Sequence, residues 1–151
     1  MTLLDAPVYN ARRARLIRNS IIGVLVLAVV AGICTWVFWD WPEQHRLNRF
    51  LVTVESGDLN TAFGQWNNDP EWRQHPERYK NYSFADFSKD WGIGSDYGQI
   101  HTHKIEITKT VGNGVVMGVS INGGKTPLFL RVDHKSKQIG FSPVELYVGP
   151  G

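Results

Sequence analysis

His101 and His103 stand two residues apart in the alternating segment HTHKIEITKT, so on a β-strand both imidazoles leave one face, with Ile105 and Ile107 continuing it. Two imidazoles on a face can ligate a metal, but a site needs a third and usually a fourth ligand. The adjacent sequence supplies none, so His134 or Glu145 would have to be brought in by the fold. Unperturbed imidazole titrates near about 6.5, which makes a response to pH the other chemistry open to the pair. Asp86 and Asp90 are four apart in a helical pattern and could divide acid and base roles. Lys89 lies between them, however, and Phe84, Phe87 and Trp91 mark the buried stripe, which leaves the two carboxylates on a solvated face. GGKTP, Gly123–Pro127, ends like a phosphate-binding loop. Val119 occupies the position of that motif's first glycine, and Pro127 opens a strand where the motif needs a helix. Gly92-Ile93-Gly94 lacks the third glycine of a dinucleotide fingerprint and follows a helix. The single cysteine, Cys34, lies inside an apolar run, away from the polar surroundings a reactive thiol needs. The expectation is therefore no catalytic residue, no cofactor and no metal centre, with His101 and His103 as the metal candidates to check.

The elements that must position these residues differ sharply along the chain. Of 151 residues, 42% are hydrophobic and 12% aromatic, a composition that can build a core. The formal net charge is +2, which makes no case for nucleic acid. The positive excess lies in residues 1–19, where Arg12, Arg13, Arg15 and Arg18 face Asp5 alone, whereas from Trp41 onward basic and acidic residues balance. Ile21 to Trp39 contains no charge, and as a helix it would be about 28 Å long, close to the ~30 Å hydrocarbon core of a bilayer. Arginines flank one end, and Trp36, Trp39 and Trp41 crowd the other, as interfacial aromatics do. The positive-inside rule then places the N-terminus in the cytoplasm, with the C-terminal domain periplasmic or extracellular. A cleaved signal peptide would have a shorter apolar stretch and a small-residue cleavage site. The organisation expected is a basic tail over 1–19, a transmembrane helix over 20–41 and an extracytoplasmic α+β domain over 42–151.

Within that domain Leu47, Phe50, Leu51 and Val54 recur at i, i+3, i+4, i+7, and Leu59, Ala62, Phe63 and Trp66 repeat the spacing. Asp40 with Glu43 reads as a capping box for the first helix, Ser56-Gly57 stops it, and Asp58 caps the second. Residues 67–82 are polar, carry two prolines and read as a loop with room for a short helical turn. Ser83 with Asp86 opens a third helix that Gly92 ends. The period then shifts to two, giving four strands at 100–110, 115–121, 128–133 and 139–148, with Pro143 ending the last pairing. Short connections make them an antiparallel meander.

Helices followed by an antiparallel sheet give an α+β class: two to three helices packed on a four-stranded antiparallel sheet. The helix pair FLVTVESGDLNTAFGQW, then SFADFSKDWG, then four strands, resembles the NTF2-like (cystatin-like) roll over roughly residues 43–148. In layout, with one N-terminal helix ahead of the domain, the chain is similar to VirB8-like components of type IV secretion systems and to Mce-associated proteins. That resemblance implies a scaffold or assembly role and no catalysis.

The expected function is thus a membrane-anchored extracytoplasmic interaction module, an accessory or assembly subunit of a larger membrane protein complex. Its anchor would be Arg12, Arg13, Arg15, Arg18, Trp36, Trp39 and Trp41. Trp72, in the polar loop, with Tyr79 and Tyr82, is the expected aromatic contact for a partner, the alternative being that it folds back onto the domain. Partners would be the lipid bilayer, an integral membrane protein complex and, through the small pair Ala28 and Gly32, a second copy. The alternative is a small-molecule-binding domain, or an enzyme, using the cone between helices and sheet, with His101, His103 or Tyr97 at its mouth.

Overall fold

A computed structural model describes residues 10–146. Most of the first half of the basic tail, Asp5 included, and the final part of the last expected strand, Tyr147 and Val148, lie outside the described residues. The chain divides between Trp39 and Asp40 into two units.

In the first unit, Asn10 accepts a hydrogen bond from the Arg13 N–H at 3.1 Å and so caps α1, Ala11–Val37. The helix has 27 residues and runs for about 40 Å. It begins earlier than expected and takes all four arginines into its first two turns. Thr35 donates its hydroxyl to Ala31 O at 2.8 Å, which satisfies the polar group inside the helix. No α1 side chain is buried, and the helix is long and apolar enough to cross a membrane.

The second unit is α+β. α2 spans Trp41–Glu55, α3 Leu59–Asn67 and α4 Phe84–Trp91, with two short 3-10 turns at Trp72–Gln74 and Pro76–Tyr79 between α3 and α4. The strands β1 His103–Val111, β2 Gly114–Ile121, β3 Leu128–Asp133 and β4 Ile139–Phe141 form one antiparallel sheet in the order β1-β2-β3-β4. Gly112, first residue of the two-residue loop between β1 and β2, has φ +61°, the conformation such hairpins ask of that position.

The apolar stripes meet as their spacing requires. Leu47, Phe50, Leu51 and Val54 of α2, Ala62, Phe63 and Trp66 of α3, and Phe87 and Trp91 of α4 form one core with Val115, Met117, Val119 and Ile121 of β2. Leu130 and Val132 of β3 complete it from the neighbouring strand. Phe50 packs on both neighbouring tryptophans, with ring centroids 5.4 Å from Trp66 and 5.0 Å from Trp91. Burying each such ring stabilises by about 1.5–3 kcal/mol, and edge-to-face contacts add about 0.5–1.5 kcal/mol.

Caps follow the sequence in two cases and depart from it in one. Asp58 accepts from Thr61 N–H at 3.1 Å, and Ser83 with Asp86 forms a full capping box on α4. The expected Asp40–Glu43 box is absent, because tertiary partners take both carboxylates. Asp40 accepts from the Thr110 hydroxyl at 2.8 Å, and Glu43 turns to the β3–β4 connection. The sheet also corrects one face. Ile105 pairs with Val119 and Ile107 with Gly118, leaving Glu106 as a bulge. The extra residue moves Ile107 to the outer face, away from His103 and Ile105. There Gly118 has no room for a side chain: a Cβ would come within 2.8 Å of Ile107 Cγ2 and 3.0 Å of Phe129 Cε1.

Candidate functional site

The residues expected to form the anchor are at the surface. Arg12, Arg13, Arg15, Arg18 and Trp36 are exposed on α1, and Trp39 is exposed in the turn that follows it; the two tryptophans are 81% and 62% accessible. Trp41 opens α2, is exposed, and stacks on His45 with centroids 5.1 Å apart and planes 12° apart. Cys34 is exposed on the same α1 surface as its apolar neighbours.

The aromatic loop turns inward. Trp72, Tyr79 and Tyr82 are half-buried against the core and do not form a free aromatic surface. Trp72 stacks on Phe84 at 5.0 Å, meets Phe63 edge-on at 4.8 Å, and donates its indole N–H to Asn60 O at 3.2 Å. Tyr79 donates to Asp69, whose carboxylate also contacts His75 Nε2. Burial first, and Asp69 second, push the Tyr79 phenol up to about 12. Tyr82 donates to Asp90 at 2.8 Å, and burial with that carboxylate raises its pKa as well. The three rings are brought into one region, with Phe63, Phe84 and Phe87 as their floor. An apolar ring in a polar loop is explained by that floor.

The histidines separate. His101 is exposed and precedes β1, while His103 is its first residue. His103 reaches α2, with Nδ1 2.6 Å from Glu55 Oε1 and Nε2 2.8 Å from Asn48 Oδ1. Both ring nitrogens are thus engaged and neither is open to a metal. His134, the suggested third ligand, lies instead 3.1 Å from Glu43 Oε1 through Nδ1. Among the described residues no group of three or more His, Cys, Asp or Glu side chains is placed to hold a metal ion.

Sequence reasoning missed a basic cleft on α2 and α3. Two adjoining cavities of about 330 Å³ each share Arg46 and Gln65. One is completed by residues that include Asn60, Asn68, Trp72 and Arg73, the other by Pro42, His45, Arg49 and Lys137. The loop lies close over α3 here: Asp69 N–H donates to Gly64 O at 2.8 Å, and a Cβ on Gly64 would sit 3.1 Å from Asp69 O. Asn68, in the left-handed conformation at φ +53° that ends α3, accepts from Arg46 and donates to Ser136 O at 2.9 Å. It thereby fastens both helices to the β3–β4 turn. The i, i+3 spacing of Arg46 and Arg49 was visible, but Arg73 and Lys137 join them only through the fold.

Comparison of the chain with protein-family models, with curated proteins and with solved structures found no match.

Proposed function

We propose that the protein is a single-pass, membrane-anchored interaction module, an accessory or assembly subunit of a larger membrane protein complex, and that it is not a catalyst. The observation that carries this reading is α1. It is a 27-residue helix with no buried side chain, apolar through most of its length, and three residues of sequence separate its end at Val37 from the start of α2 at Trp41. Such a surface is stable only against lipid or other protein. The arginines at its start and the tryptophans near its end support an orientation with the N-terminus in the cytoplasm and the α+β domain outside it, periplasmic in a bacterium. We also read the domain as an NTF2-like roll, on the order of its helices and meander. The space between helices and sheet is occupied by Phe50, Phe63, Trp66, Phe87 and Trp91, which favours an interaction role over a ligand held in the cone.

The test is the native mass of the protein extracted from its own membrane in mild detergent. Migration within a large complex is expected, with the companions identifying the process. Migration as a monomer or small homo-oligomer would sink the accessory-subunit reading.

A further inference from the structure

The cleft on α2 and α3 gathers four of the twelve basic residues that follow Trp41, namely Arg46, Arg49, Arg73 and Lys137, and no carboxylate lines it. Lys137 is matched by Glu43 at 2.7 Å. Arg46 donates to the neutral side chain of Asn68, and among the described residues the Arg49 guanidinium has neither a hydrogen bond nor an ion pair. The two guanidiniums are three residues apart on one helix and disfavour each other: burial first, and the charge of Arg49 second, lower the pKa of Arg46, and the carboxylate of Glu43 offsets this only in part. Arg46 is half-buried and Arg49 exposed beside it; like charges held together repel when a cleft is empty and bind well around an anion.

We propose that this cleft binds the phosphate of an anionic phospholipid headgroup, with Arg46 and Arg49 donating to its oxygens. The proposal rests on the reading of α1 as a membrane anchor. Guanidinium forks match phosphate geometry better than any other side chain. Chain length supplies the lipid. Arg46 and Arg49 follow the interfacial Trp41 by five and eight residues, about 8 and 12 Å along a helix, so the cleft lies within roughly a Debye length of a bilayer that Trp41 borders.

The experiment uses the full chain, reconstituted into vesicles of equal phosphatidylcholine and phosphatidylglycerol, extracted in mild detergent and weighed by native mass spectrometry. Wild type is expected to retain phosphatidylglycerol over phosphatidylcholine by about tenfold, and Arg46→Gln/Arg49→Gln to retain both equally. Arg49→Gln alone, which removes no internal contact, should give most of that loss while unfolding at the wild-type temperature. Equal retention by wild type, or selectivity untouched by either variant, overturns the proposal. So does equal thermal stabilisation of lipid-free protein by inorganic phosphate, which would make the ligand a soluble anion, or capture of an acidic protein through the two arginines with no lipid retained. Release of the chain from vesicles by alkaline carbonate would overturn the anchor reading itself. A chain that stays in the bilayer without lipid selectivity overturns the headgroup site alone.

Discussion

Glu43 and Lys137 meet at 2.7 Å across ninety-four positions of chain, joining the first turn of α2 to the β3–β4 turn. Glu43 is only 3% exposed, and Lys137 holds a left-handed backbone at φ +58° to reach it. Burial pushes the Glu43 carboxyl up, but the hydrogen bonds from Lys137, His134 and the backbone, with the charge of Lys137, together hold it below its ordinary value of 4.5. A carboxylate whose folded pKa is lowered adds stability above its unfolded pKa and loses it as pH falls through the folded value. The melting temperature of the full chain in detergent should therefore be level near neutrality and fall once pH drops below about 4.5. Glu43→Gln should make that acid limb shallower and cost about 1–3 kcal/mol at neutral pH, toward the lower end because Lys137 is 40% exposed. An unchanged acid limb in the variant would show that the pair contributes nothing.

That contact also marks where the sequence stops being legible. The stripes of α2, α3 and α4 and the alternation of β2 and β3 were readable, because each repeats one apolar face at a fixed period. Ser83 with Asp86 was readable because a capping box is local. Asp40 with Glu43 has the same spacing, yet Thr110 and Lys137 compete for its carboxylates from distant strands. The Glu106 bulge, which reverses Ile107, leaves no mark in a pattern of alternating residues. Trp72 looked free because its neighbours are polar. Its burial depends on Phe63 and Phe84, which lie in two different helices. The basic cleft is of this kind too, since its charges come from α2, the polar loop and a turn of the sheet.

Trp72→Ala is accordingly expected to damage folding. The ring loses its stack on Phe84, its edge contact with Phe63 and its bond to Asn60 O. A loss of about 2–4 kcal/mol is expected, below the full cost of a buried tryptophan because the ring is only half-buried. Thermal unfolding followed by tryptophan fluorescence measures it. A variant that melts with the wild type but no longer associates with the complex proposed above would return Trp72 to the role of a partner contact.

Tyr79 reports on the loop that carries Trp72. Its phenol is raised to about 12 from the ordinary 10, by burial and then by Asp69. A raised pKa means that the folded state holds the proton more tightly, so the stabilisation is complete below about 10 and is lost as pH rises through about 12. In Asp69→Asn the difference absorbance of the phenolate should titrate lower, moving part of the way toward 10 because burial remains. Tyr79→Phe identifies which of the transitions belongs to this residue. A midpoint unmoved by Asp69→Asn would mean that burial alone sets the value.

The proposed anchor makes the sharpest demand, because a charge at the centre of a spanning helix has nowhere to go. Leu27 and Val30 are 69% and 50% exposed near the middle of the apolar run. An arginine at the centre of a spanning helix costs about 2.5–3.5 kcal/mol, whereas an apolar residue contributes about 0.3–0.6 kcal/mol. One arginine therefore offsets several apolar residues, and Leu27→Arg with Val30→Arg should offset most of the nineteen between Ile21 and Trp39. Wild type should remain with the membrane after alkaline carbonate, Leu27→Arg should be partly released and the double variant largely so. Orientation rests on different residues. Replacing Arg12, Arg13, Arg15 and Arg18 by glutamine should leave the chain in the membrane but mix its topology, since the flanking charge bias would be gone. Protease added to spheroplasts would then digest the C-terminal domain completely in wild type and only in part in the glutamine variant. Complete protection in wild type would place that domain on the cytoplasmic side.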